Sequence, residues 1–245
     1  ILPENVPANE FLNLEGNKIS TSKNWAIWLH EYLEDFPNMQ DSLRYTLTVN
    51  APESKDNDFT WKDFQLRNNS ELVAIFGNFV NRTLVLTHKY YDGIVPNQVD
   101  EKSKYYGILK EVYEYPESIS KSLDNFKFRE SVNTLIDLAR LGNKFLADTE
   151  PWKLIKIEDQ KRKVEEIMFI SIQICGMLAI LSEPFVPFAS EKLKSILNLK
   201  VKKWTELNIS SNIIDSKKLI NKPELIFRKI EDEEIERELS KLNNT

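Results

Sequence analysis

A lysine and three hydroxyl side chains follow one another near the amino end of the sequence, in the order Lys18-Ile19-Ser20-Thr21-Ser22. An ammonium group supplies positive charge, while hydroxyls and free backbone N–H groups at the start of a helix donate hydrogen bonds, so this combination suits a phosphate group. A Ser-Thr-Ser run before an amphipathic helix is more often a simple helix cap. Taken alone, the string leaves both interpretations open.

An amide and a guanidinium form a second candidate site, because Asn78 and Arg82 are spaced i, i+4 and neighbour each other on one face of a predicted helix. Helical periodicity places both at the edge of the buried face. An amide that offers a donor and an acceptor beside a planar guanidinium suits the edges of unpaired bases. The structural alternative is a boundary pair with Glu71 or Asn81 as partners.

An indole provides the third candidate site. Pro151 fits the first turn of a helix, which places Trp152 near an exposed helix start. There the ring can stack on a splayed-out base. Equally, it can close the end of a helix bundle.

The other polar residues show no arrangement for chemistry. The two histidines, His30 and His88, have no metal-ligand spacing around them, and the acidic stretch 231–238 is typical of an exposed helix face. No nucleophile stands beside a base. The sequence therefore predicts no metal site in this chain.

Composition limits the classes of function. Six glycines without a Gly-rich stretch argue against a complete nucleotide-binding Rossmann unit, and the net charge of −5 disfavours indiscriminate nucleic-acid binding, including to DNA. The apolar run 168–181 is shorter than the roughly 20 residues of a membrane span, so we expect a buried helix and no membrane association. A single cysteine and no leader-like start favour a reducing compartment, the cytoplasm.

The elements that must position these groups are mostly helical. Residues 10–20 alternate around a Glu-Gly-Asn turn and predict a short β-hairpin. A helical stripe over 25–36 follows, which Pro37 ends, and 53–58 is predicted to be a polar loop. Further helices are predicted over 41–50, 70–91, 102–115, 118–146, 160–181, 187–197 and 231–242. The predicted fold is mainly α: an antiparallel helix bundle preceded by a short β-hairpin and the Lys18–Ser22 loop.

Several motifs, in their order along the chain, resemble those of the methionyl-tRNA synthetases, a family of class I aminoacyl-tRNA synthetases. The string Lys18–Ser22 is similar to the Lys-Met-Ser-Lys-Ser signature of that class. The likeness continues over nearly the whole chain, in Asp41-Ser-Leu-Arg-Tyr45, Asn50-Ala-Pro-Glu53, Asp58-Phe-Thr-Trp-Lys-Asp-Phe64, Asn78-Phe-Val-Asn-Arg82, Tyr91-Asp-Gly93, Thr149-Glu-Pro-Trp152 and Glu183-Pro-Phe-Val-Pro187.

The resemblance implies roles for the residues of the signature loop. In the family this loop closes over ATP, and its lysines stabilise charge on the triphosphate as methionine attacks the α-phosphate. Lys18, Ser20 and Ser22 match the signature, whereas Thr21 stands where the second lysine is expected. We therefore expect Lys18 and Thr21 to face ATP, with Lys23 as a candidate to replace the missing positive charge.

The resemblance also implies that Asn78, Arg82 and Trp152 read the CAU anticodon of tRNA(Met). The parent enzyme is expected to join methionine to this tRNA with ATP and Mg²⁺. Its His-Ile-Gly-His-like motif, methionine pocket and any zinc site are expected to precede this chain, so the chain alone is predicted inactive. Its predicted parts are the end of the catalytic domain (1–60), the anticodon-binding domain (61–215) and a linker with an amphipathic helix (216–245).

Two alternatives stay open on the sequence. Another class I synthetase, such as the leucine, isoleucine, valine or cysteine enzyme, also joins a signature loop to a helix bundle. A non-catalytic tRNA-binding or scaffold bundle would use Lys18–Ser22 only as a helix cap.

Overall fold

The computed structural model describes residues 2–200 and 203–243 and shows a mainly helical chain with one small sheet. Strands β1 (Leu12–Leu14) and β2 (Asn17–Lys18) form the predicted antiparallel hairpin. A third strand, β3 (Asn57–Phe59), pairs in parallel with β1. The predicted fold class, mainly α with a β-hairpin lead-in, is confirmed.

Helices fill most of the remaining described chain. In order they are α1 (Leu29–Asp35), α2 (Gln40–Val49), α3 (Trp61–Arg67), α4 (Asn78–Tyr91), α5 (Tyr106–Val112), α6 (Tyr115–Asp124), α7 (Phe128–Thr149), α8 (Pro151–Leu154), α9 (Lys161–Leu181), α10 (Pro187–Ile196) and α11 (Asp232–Asn243). Between α3 and α4 the chain stays helical, because Asn68–Gly77 has π-helical hydrogen bonding. Residues 61–91 therefore form one continuous helix, which starts earlier than the predicted residue 70.

Helix α9 lies at the centre of the bundle, since every residue from Met168 to Leu181 is buried. Within the described residues one helical stretch, Glu158–Leu181, has the length and apolarity to cross a membrane, but 89% of its most apolar window is buried inside the protein. The prediction of a buried helix is confirmed. Burial also raises the pKa of the Cys175 thiol to about 12, so this cysteine stays protonated and acts as an apolar core residue.

The irregular segment that contains Ile213 and Ile214 packs on the bundle. Gln173, buried in α9, accepts hydrogen bonds from the backbone N–H groups of Ile213 and Ile214 at 2.9 and 3.1 Å and donates to the Ile214 carbonyl at 2.7 Å. Gly176 permits the close approach, because a Cβ there would lie 2.6 Å from Ile213. The Gln173 side chain thus provides hydrogen-bond partners for backbone groups of a segment that has no regular secondary structure.

A second, smaller core joins the two ends of the chain. Its buried residues come from the sheet, from α1, α3 and α11 and from the segments next to α1 and α11, and their aromatic rings stack or meet edge to face. They are Leu14, Tyr32, Phe36, Met39, Phe59, Trp61, Phe64, Ile230, Ile235 and Leu242. Helix α11 is packed against α3, and it belongs to the same core as the hairpin residue Leu14. The division of the chain at residues 60/61 and 215/216 stays a prediction.

Two predicted elements near the amino end are wrong. The helix predicted over 25–36 begins only at Leu29, because the backbones of Ser20 and Trp25 pair at 2.9 Å in both directions and Asn24 adopts a left-handed φ of 50°. Residues 57–58, predicted as loop, belong to β3. Both errors have the same cause: backbone pairing, of Ser20 with Trp25 and of β3 with β1, overrides the local sequence pattern.

The helix predicted over 118–146 is two helices, α6 and α7. Phe126 takes a left-handed φ of 58°, and the Lys127 N–H donates to the Ser122 carbonyl at 2.9 Å. This is the hydrogen bond that ends a helix in a Schellman turn. The reversal packs α6 against α7 and lets α7 run on to the candidate site.

Candidate functional site

The continuous helix 61–91 carries Asn78 and Arg82 on one face. Thr60 begins the helix, since its Oγ1 accepts the Asp63 N–H at 3.0 Å, and Asp92 ends it with a left-handed φ of 52° before Gly93. The predicted stop at Asp92-Gly93 is confirmed. Asn78 is exposed and Arg82 half-buried. Both therefore lie at the border of the buried face, as predicted.

A close helix contact places a second asparagine beside Asn78. Helix α7 approaches α4 at Gly142, where a Cβ would lie 2.5 Å from the Phe79 ring. The next residue, Asn143, accepts a hydrogen bond from Asn78 Nδ2 at 3.1 Å and donates to the Ile75 carbonyl at 2.8 Å. Asn143 thereby orients the Asn78 amide, leaving the Asn78 Oδ1 as an acceptor on the surface.

Trp152 stands at a corner between α7 and α8. Glu150 has a left-handed φ of 43° and Pro151 begins α8, which turns the chain sharply. The half-buried indole then lies under Arg82, whose Cζ is 4.8 Å from the ring centroid. A guanidinium held on an aromatic face is a cation–π pair, and both planar groups keep an edge or face for a further planar ligand.

Glu71, one of the two alternative partners for the Asn78–Arg82 pair, is engaged elsewhere. Glu71 Oε1 accepts a hydrogen bond from Arg67 Nη1 at 3.1 Å, and Glu71 Oε2 accepts one from the Tyr45 hydroxyl at 2.7 Å. Burial raises the pKa of Tyr45, so its hydroxyl stays a neutral donor. The structure therefore brings together Asn78, Arg82 and Trp152 as one surface, which we call the triad surface.

The Gly142 contact gives a direct test of how the triad surface is built. Gly142→Ala is expected to lower the free energy of unfolding by about 1–3 kcal/mol, because the added methyl overlaps the fully buried Phe79 ring. The matched control is Gly107→Ala in α5, where nothing lies within 4 Å and alanine is the better helix former. Urea unfolding measures both. Equal stability of the two variants would refute the close-contact explanation.

The signature loop forms a tight exposed turn beside the hairpin. Lys18, at the end of β2, has its Nζ 5.9 Å from the Phe11 ring centroid. Thr21–Lys23 is a 3₁₀ turn, and Ser20 makes no side-chain cap, its Oγ lying 3.3 Å from the Ser22 Oγ. The capping interpretation is therefore wrong: these hydroxyls do not cap α1, which begins at Leu29, at least seven residues later.

A shallow pocket of about 730 Å³ brings the two loop lysines to one place. Its lining comprises Asn17, Lys18, Ile19, Ser20, Lys23, Trp25 and Leu242. Thr21 and Ser22 lie exposed on the adjoining turn, outside that lining. The pocket offers two ammonium groups and a hydroxyl but no carboxylate, a donor set that fits phosphate oxygens and not a bare divalent cation. Across residues 2–200 and 203–243, no three His, Cys, Asp or Glu side chains group closely enough to hold a metal ion.

Comparison with known families identifies the family of the chain that carries the triad surface and the loop pocket. Residues 1–84 match the family model of class I tRNA synthetases (M), and residues 95–244, more than half of the chain, match the anticodon binding domain of methionyl tRNA ligase. The chain belongs to the methionyl-tRNA synthetase family. The alternative of a leucine, isoleucine, valine or cysteine enzyme is thereby set aside.

Curated relatives agree with this membership. Methionine–tRNA ligases of Flavobacterium psychrophilum, Christiangramia forsetii and Bacteroides fragilis are 55%, 56% and 56% identical over all of this chain. The chain spans 36% of the length of each of these methionine–tRNA ligases.

Solved structures of the methionyl-tRNA synthetase family share the fold. The Mycobacterium tuberculosis methionyl-tRNA synthetase in complex with methionyl-adenylate has a TM-score of 0.80 at 20% identity, over 91% of this chain and 43% of that protein. Its free form has a TM-score of 0.78 at 18% identity, with the same coverage.

The main residue that the sequence alone did not indicate is Asn143. Its only signal is a Gly-Asn pair in the middle of a long apolar-periodic helix, a place where a small residue allows another helix to approach. The pairing of Arg82 with Trp152 was likewise absent from the prediction, which placed both in one site without a contact between them.

Proposed function

We propose that the full-length protein joins methionine to tRNA(Met) with ATP, and that this chain reads the CAU anticodon and supplies the loop that closes over ATP. The supporting observation is the triad surface, where the Arg82 guanidinium lies 4.8 Å above the Trp152 ring beside the Asn78 amide. A planar stack with one hydrogen-bonding edge is the chemistry that captures unstacked bases of a single-stranded loop.

Each residue of the triad surface has a distinct part in this proposal. Trp152 offers a ring face for one anticodon base. Arg82 extends that stack and donates hydrogen bonds to a neighbouring base or phosphate. Asn78, oriented by Asn143, presents the acceptor that selects a base edge.

The loop residues would act on the triphosphate. As the methionine carboxylate attacks the α-phosphorus, a P–O bond breaks and pyrophosphate leaves, so negative charge grows on the departing oxygens. Lys18 and Lys23 from the common pocket stabilise that charge, with Ser20 donating a hydrogen bond. Thr21 and Ser22 would reach ATP only when the turn closes. Mg²⁺ would arrive with ATP and be held by phosphate oxygens, and any zinc would be bound outside this chain.

The proposal includes a cytoplasmic location and tRNA as the partner, with no membrane or DNA as partner. The rest of the catalytic machinery would come from the part of the protein that this chain does not include, since the chain spans 36% of its relatives.

The experiment that tests the anticodon proposal is binding of the 245-residue chain to anticodon stem-loops. We expect the CAU stem-loop to bind more tightly than stem-loops with one changed anticodon base, by about tenfold or more per base. Fluorescence anisotropy at fixed salt measures the difference, since phosphate contacts vary with salt. A scaffold bundle would bind all stem-loops equally or not at all, and that result would reject the proposal.

The purified chain alone is expected not to charge tRNA(Met) with methionine, although it binds the stem-loop. The full-length enzyme under the same conditions is the positive control. Formation of methionyl-tRNA by the isolated chain would contradict the assignment of the remaining machinery to the other part of the protein.

A further inference from the structure

The hairpin that carries Lys18 turns through two left-handed residues, Glu15 with φ 48° and Gly16 with φ 75°. No neighbouring atom lies within 4 Å of the position that a Gly16 Cβ would take, so this side of the turn is open. Instead, the Gly16 N–H donates to both carboxylate oxygens of Asp58, at 3.0 and 2.9 Å. Hydrogen bonds to this carboxylate therefore hold the tip of the hairpin.

Glu15 ties the same turn to a helix start. Its Oε1 accepts the Trp61 N–H at 2.7 Å, and its own N–H donates to the Phe59 carbonyl at 2.9 Å. Trp61 is the first residue of the continuous helix 61–91, so its N–H is one of those that the helix leaves without a partner. A carboxylate at that position is stabilised by the helix dipole.

The helix that Glu15 holds is the one that carries the triad surface. Roughly 20–25 Å of helix axis separates Trp61 from Asn78. At the near end, Lys18 follows Glu15 by three residues and lines the loop pocket. One continuous helix thus joins the two sites, and the carboxylates of Glu15, on the turn, and of Asp58, in β3, link its amino end to the hairpin.

We propose that Glu15 and Asp58, here called the turn clamp, are positioning residues that hold Lys18 in place for ATP by fixing its hairpin to the amino end of the anticodon helix. The proposal rests on the proposed function, since it assumes that Lys18 acts on ATP. The turn clamp touches no substrate. It restricts the Lys18 ammonium to a few positions at the pocket. A contact that does not touch ATP can in this way help to orient Lys18 towards it.

The test is the rate of ATP–pyrophosphate exchange by the full-length enzyme, which requires no tRNA. Asp58→Ala and Glu15→Ala are expected to reduce kcat/KM for ATP by about tenfold to a hundredfold, with the KM for methionine within about twofold of wild type. Asp58→Asn keeps one acceptor oxygen and is expected to lose about threefold. A change confined to ATP is a result that general destabilisation does not produce.

Glu53→Ala is the matched control. Glu53 also accepts a backbone N–H at a helix start, that of Arg129 in α7 at 2.8 Å, but it neither contacts the hairpin turn nor lines the loop pocket. It should lower the melting temperature and leave the ATP constants unchanged. Equal effects of Glu53→Ala and the turn-clamp variants on ATP would overturn the proposal. If the alanine variants do not fold, wild-type ATP constants in folded Asp58→Asn would overturn it as well.

Failure of the turn clamp is separable from failure of the proposed function. Lys18→Ala is measured beside the turn-clamp variants: if it leaves exchange unchanged, the role of the loop is wrong and the turn clamp falls with it. If Lys18→Ala slows exchange and the turn-clamp variants do not, only the turn clamp is wrong. Binding of the CAU stem-loop is expected to stay within about twofold in Asp58→Ala, because the triad surface keeps its own contacts.

Discussion

Replacing Lys18 by alanine in the full-length enzyme is expected to slow adenylate formation by about 100- to 1000-fold, the usual cost of removing one preorganised group that stabilises transition-state charge. Lys23→Ala is expected to cost about tenfold or more, because Lys23 lines the same pocket as Lys18, whereas Thr21 lies outside the lining and carries no charge. Methionine binding should change little in either variant. Single-turnover adenylate formation with varied ATP measures the effect.

The control for the loop lysines is Lys121→Ala, which removes an exposed lysine from α6 and should leave activation kinetics unchanged. A second comparison is Thr21→Lys, which restores the usual charge of the signature. If Lys23 replaces that charge, Thr21→Lys should recover much of the loss in Lys23→Ala. Unchanged adenylate formation in Lys23→Ala would show that this lysine has no part in the step.

Replacing Trp152 by alanine is expected to weaken binding of the CAU stem-loop by about 5- to 100-fold, because stacking on an aromatic ring contributes about 1–3 kcal/mol per base. Arg82→Ala should lose a comparable factor. Arg82→Lys should restore little of it, since an ammonium lacks the planar guanidinium that lies on the indole face. Anisotropy titrations with the 245-residue chain measure each dissociation constant.

Trp204→Ala provides the matched control, because Trp204 is a half-buried tryptophan that packs on the large core and is not part of the triad surface. It should affect stability and leave stem-loop affinity nearly unchanged. The double variant of Arg82 and Trp152 should lose less than the sum of the two single losses, since the two side chains act through one contact. Additive losses, or full affinity in Trp152→Ala, would contradict the proposed stack.

Patterns within one segment determined much of this protein. The apolar run 168–181 specified a buried helix, and local stop signals such as Asp92-Gly93 and Pro37 marked where helices end, because these preferences act on neighbouring residues. The i, i+4 spacing placed Asn78 and Arg82 on one face at the border of the core. The order of the motifs indicated the family, which the family models then confirmed.

Contacts between distant segments decided the rest. Strand β3 forms because it pairs with β1, although residues 57–59 show no strand pattern of their own. The hydroxyls of the signature loop cap no helix, because Ser20 pairs with Trp25 and delays α1. Arg82 meets Trp152, and Lys18 shares a pocket with Lys23, only once the helices and the loop have packed. Sequence spacing fixes the face on which a side chain lies, whereas its partner across the fold depends on tertiary packing.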